Sequence, residues 1–67
     1  MNESTVKAAV DAFLRNVSFT ARNEIEKAVR AAFNEGKLDG KESVNAAIAL
    51  SSDTLGLNVT IYSKIAL

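Results

Sequence analysis

TARNEIEKAVRAAFNEGKL, residues 20–38, is the stretch on which the reading of this chain turns. Ala21, Ile25, Ala28, Val29, Ala32 and Phe33 recur at three- and four-residue steps, which places them along one side of a helix. Glu24 and Glu26 stand in the first half and Arg30 follows, an order that complements the helix dipole. Thr20 has the chemistry of an N-cap, because its hydroxyl can accept from the free backbone N–H groups of a first turn. Phe19 before it and Ile25 after it resemble a hydrophobic staple. Gly36 can take the left-handed conformation that stops a helix, with Leu38 as the accompanying apolar residue. These signals predict a helix over about 20–35.

Upstream, Val6, Ala9, Val10, Phe13, Leu14 and Val17 show the same period, and Asn2 or Ser4 can cap them. A helix over about 4–17 is expected. Glu3, Lys7, Asp11 and Arg15 follow at four-residue steps with alternating sign, the pattern of a solvated salt-bridge ladder. Ser18-Phe19-Thr20 is polar and β-branched, which predicts a break there. So short a link would make the two helices an antiparallel or steeply crossed pair.

Downstream, Lys37 to Lys41 reads as a connector in which Asp39-Gly40 suits a turn. A calcium loop through this region fails on spacing, since Lys37 and Ala46 would fall where oxygen ligands are required. From Glu42 the period changes to two. Val44, Ala46, Ile48 and Leu50 alternate with Asn45, Ala47, Ala49 and Ser51, which predicts a strand over about 43–50. The alanine-rich composition leaves a helical reading open for this segment. Leu55, Leu57, Val59, Ile61, Ile65 and Leu67 predict a second strand over about 55–66. Apolar residues must share a side, so even positions of the first strand oppose odd positions of the second. Leu50 opposite Leu55 satisfies this with a four-residue loop, and Leu50 opposite Leu57 is the next choice. The expected fold is α+β in the order α-α-β-β, with both helices packed on one face of an antiparallel hairpin. Residues 1–67 then form a single small domain.

The 67 residues carry no cysteine, no histidine and a formal net charge of zero. A chain of this length buries only about 60% of the surface its unfolded form exposes. Disulfides and thiolate metal sites are excluded, and the commonest zinc ligand and general base is missing. Self-association is the remaining way to enlarge the core. Zero net charge argues against nucleic acid or an anionic membrane as a partner. No apolar run approaches the roughly 20 residues that span a bilayer. The polar, acidic start MNESTVKAAV lacks the features of a signal peptide, so a cytoplasmic location is expected.

No catalytic residue is assigned. The serines lie at caps and turns without a histidine to activate them, and the acids lie on helix flanks or in turns. The glycines at 36, 40 and 56 are too scattered for a phosphate loop, and no cofactor or metal is expected. The favoured reading is a non-enzymatic protein-interaction module that forms a homodimer, its further protein partner unknown. The second strand outruns the first and ends in Ile65-Ala66-Leu67, which leaves two readings open: burial of the tail against the chain's own helices, or pairing with a second copy, for which the candidate self-association residues are Val59, Ile61, Tyr62, Ile65 and Leu67. The alternative is a nucleic-acid-binding protein resembling a helix-turn-helix. Asn23, Lys27, Arg30 and Asn34 would then be the contacts on the exposed face of the second helix. Glu24, Glu26 and Glu35 on the same helix weigh against it.

The opening Met1-Asn2-Glu3 with Thr5, the run Glu24 to Arg30, Gly36-Lys37-Leu38, Leu55-Gly56-Leu57 and the closing Ile65-Ala66-Leu67 carry one further implication. Together they resemble a family of similarly short, uncharacterised bacterial proteins, a domain of unknown function. The resemblance spans nearly the whole chain. It implies a bacterial, soluble, stand-alone protein and supplies no catalytic residue, cofactor or partner.

Overall fold

The computed structural model describes all 67 residues. A single helix, α1 (Glu3–Asn34), is followed by two strands, β1 (Ser43–Ser52) and β2 (Leu57–Ala66). The chain divides into two units, Met1–Lys37 and Leu38–Leu67. The class is α+β, but the expected pair of N-terminal helices is overturned: helices over 4–17 and 20–35 are one continuous helix of 32 residues.

Continuity through Ser18-Phe19-Thr20 follows from magnitudes. Each of these residues costs about 0.5 kcal/mol relative to alanine, roughly 1.5 kcal/mol for the three. A break would strip backbone partners from two new helix ends. It would also demand a second nucleation, about 4 kcal/mol for a nucleation constant near 10⁻³. With no proline in the chain, nothing forces that larger cost. Thr20 is therefore an interior residue and not an N-cap. Phe19 is no staple either: it is 69% exposed in the middle of α1.

The true ends of α1 are chemically marked. Asn2 is the N-cap, in extended conformation, and its Oδ1 accepts from the Ser4 N–H at 2.8 Å. At the other end Glu35 is the C-cap. The Gly36 N–H donates to the Phe33 carbonyl at 3.1 Å and the Lys37 N–H to the Ala32 carbonyl at 2.9 Å. Gly36 has φ +78°. This crossed pair of bonds around a left-handed glycine is a Schellman motif, so the predicted stop at Gly36 is the observed one.

In the second unit β1 and β2 pair antiparallel along their whole length, from Ser43 opposite Ala66 to Ser52 opposite Leu57. The parity expected from the sequence holds. The register does not, because Leu50 lies opposite Val59 and not opposite Leu55 or Leu57. The loop has four residues as expected but sits two residues further on, at Asp53 to Gly56. There the Gly56 N–H donates to the Asp53 carbonyl at 3.2 Å. The Ser52 hydroxyl accepts from the Leu55 N–H at 3.3 Å. Gly56 has φ +64°, a conformation easy for glycine in a turn and wasted on it in a strand. The shift lengthens the first strand to Ser52 and shortens the second, so both have ten residues. The expected overhang of the second strand is thereby absent. Ile65 is paired with Val44, and beyond the strand the Leu67 N–H donates to the Glu42 carbonyl at 3.0 Å.

Candidate functional site

Neither unit contains a buried side chain, polar or apolar. The surfaces open to a partner are therefore the places to look for function, and each unit has one.

On α1, Val6, Val10, Leu14, Val17, Ala21, Ile25, Ala28 and Ala32 follow one another at steps of 4, 4, 3, 4, 4, 3 and 4. Each cycle of steps 4, 4 and 3 is an 11-residue repeat, and two cycles make Val6, Val17 and Ala28 equivalent, as are Val10, Ala21 and Ala32. Such a repeat averages about 3.67 residues per turn, close to the helix's own period, so the stripe runs nearly straight along α1. Val6, Val17, Ala21 and Ala32 are half-buried, while Val10, Leu14 and Ile25 are exposed. Phe13, 58% exposed, flanks the stripe. The stripes expected on two separate helices thus contribute to one repeat, visible only once the helix is known to be unbroken.

On the hairpin, the cross-strand pairs Val44–Ile65, Ile48–Ile61 and Leu50–Val59 lie on one face with Ala46–Ser63 and Ser52–Leu57. The opposite face carries Asn45–Lys64, Ala47–Tyr62, Ala49–Thr60 and Ser51–Asn58. The predicted self-association residues are therefore divided. Val59, Ile61 and Ile65 share the apolar face, whereas Tyr62 stands on the other, 79% exposed beside a shallow depression lined by Asn45 and Lys64. Leu67 lies past the end of β2.

The predicted nucleic-acid contacts Asn23, Lys27, Arg30 and Asn34 do lie on one exposed side of α1. They are not a recognition helix entered through a turn, since no turn precedes them. Lys27 Nζ lies 3.5 Å from Glu24 Oε2, and Arg30 lies 3.7 Å from Glu26 Oε2. These cations are partnered by acids of their own helix.

One arrangement gave no sequence signal beyond the turn-forming Asp39-Gly40. The Glu42 carboxylate accepts backbone N–H bonds from Asp39 at 2.8 and 3.1 Å, Gly40 at 3.0 Å and Lys41 at 3.1 Å. The Lys41 N–H also donates to Asp39 Oδ1 at 2.9 Å. The Asp39 N–H is the main cause of a Glu42 pKa lowered from 4.5 to about 2, opposed in part by desolvation and helped by further backbone donors. A carboxylate ringed by donors serves as the loop's own anion. This is a structural clasp at the start of β1.

No helix is long and apolar enough to cross a membrane. These surfaces define the protein as a small helix–hairpin protein of the α+β class. Across residues 1–67 the chain matches the model of a family described as "Family of unknown function (DUF6494)", and it belongs to that family. No curated protein and no solved structure matches the chain.

Proposed function

We propose that this protein is a non-enzymatic interaction module whose working form is a self-associated one. The observation that carries the reading is that neither unit, taken by itself, buries a side chain, although the chain is nearly half apolar. Chains without disulfides or metal commonly make up a small core by self-association.

The non-enzymatic part of the reading rests on the chemistry available. The chain has no histidine or cysteine to activate or serve as a nucleophile.

Sedimentation equilibrium over a dilution series tests the proposal. The expected result is a mass of twice the chain or a higher multiple, falling towards 7.1 kDa on dilution together with loss of helical signal. A mass of one chain at every concentration, with helix and hairpin intact, overturns it.

A further inference from the structure

We infer that the apolar stripe of α1 is covered by the same stripe of a second copy, the two helices running antiparallel. The inference rests on the self-association proposed above and adds its surface, its partner and its direction.

Three observations point to this occupant. The first is period. The 11-residue repeat is sustained from Val6 to Ala32, about 39 Å of helix at 1.5 Å per residue. A partner that is itself a long, nearly straight helix meets such a stripe at every turn, and a second copy supplies one of the same length.

The second is the distribution of side-chain size. The first half of the stripe carries valines at positions 6, 10 and 17, and the second half carries alanines at positions 21, 28 and 32. In a parallel pair each residue meets its own copy. The valine half would then hold the helices apart while the alanine half drew them together. Helix axes pack at a nearly constant separation, about 8–10 Å as set by the side chains between them. An antiparallel pair centred at residue 19 overlaps α1 from end to end and puts Val6 level with Ala32, Val10 with Ala28, and Val17 with Ala21. Every large residue of these pairs meets a small one, and Phe13 lies level with Ile25. Leu14 lies level with Glu24, which is paired with Lys27 at 3.5 Å.

The third is the far side of the helix. Phe19 stands about 200° from both Val17 and Ala21, and the cations Lys27 and Arg30 are paired with acids of their own helix. Neither Phe19 nor these two cations lies on the stripe.

Because the chain has no cysteine, engineered thiols report the arrangement cleanly. The full-length variants Val10→Cys and Ala28→Cys are refolded together and oxidised, with Val6→Cys and Ala32→Cys as a second pair. Disulfides form only where Cα atoms approach within about 7 Å. The expected result is the mixed disulfide, 10 to 28 and 6 to 32, in several-fold excess over either homodisulfide. Predominant 10-to-10 and 28-to-28 products overturn the antiparallel direction. A dimeric mass without cross-links in either pair shows that another surface, such as the hairpin face, makes the dimer, and overturns this inference while leaving self-association standing. A monomeric mass for the unmodified chain removes the reading on which it rests. Leu14→Glu gives a second readout. It is expected to weaken dimerisation at least tenfold, and unchanged association refutes the stripe as the interface.

Discussion

Replacing Phe19 separates a continuous helix from two helices joined at a link. Phe19 lies in the middle of α1, faces away from the apolar stripe and is 69% exposed, so its ring contributes little packing. Phe19→Ala therefore changes mainly intrinsic propensity and is expected to stabilise the helix by about 0.5 kcal/mol. Phe19→Pro deletes the N–H that bonds the carbonyl four residues earlier and drives its ring against that carbonyl, at a cost of about 3 kcal/mol or more. The two variants should differ by roughly 3.5 kcal/mol through the backbone alone. A small domain has only about 5–15 kcal/mol of stability in all, so the proline variant should lose a large part of it. Circular dichroism at 222 nm with urea titration measures the effect. Backbone carbon shifts of Ser18 and Thr20 locate it. A link between two helices would accept proline readily, with Thr20 capping the second. Equal helicity and equal midpoints for the proline and alanine variants would refute the continuous helix and the repeat read from it.

The helix ends and the clasp give further tests. Asn2→Ala removes the acceptor held 2.8 Å from the Ser4 N–H and should destabilise α1 by about 1 kcal/mol in denaturant titrations, whereas Asn2→Asp should not. Gly36→Ala places a Cβ in open space, yet at φ +78° the backbone itself resists, so a loss of about 1 kcal/mol is expected although no atom is touched. Glu42 has a folded pKa near 2 against 4.5 unfolded, so its clasp stabilises the hairpin unit fully above about pH 4.5 and loses that contribution as pH falls towards 2. Carboxyl titration by nuclear magnetic resonance should show a midpoint near 2, accompanied by shifts of the Asp39 and Gly40 amides. A midpoint at 4.5 would remove the clasp.

Much of the local structure was legible in the residues themselves. Asn2 as a cap, Gly36 as a stop and the change from a helical period to an alternating one at Glu42 each follow from short-range chemistry that a neighbour three or four residues away can satisfy. The rule that even positions of β1 face odd positions of β2 was legible for the same reason, because it depends only on the pleat.

Three features required the folded chain. The polarity of Ser18-Phe19-Thr20 signals a break locally, but a helix is cooperative, and the cost of starting a second one exceeds the cost of crossing three indifferent residues. The hairpin register was ambiguous because every shift by two keeps the same faces. It was decided by Gly56, which is free to take a positive φ at the end of the loop. The candidate surface depended on both. The second strand was expected to present an unpaired apolar end, but the settled register pairs Ile65 with Val44. The 11-residue stripe of α1 was present in the letters from the start. It acquires meaning only when Val17 and Ala21 lie on one helix, since a repeat cannot be read across a turn.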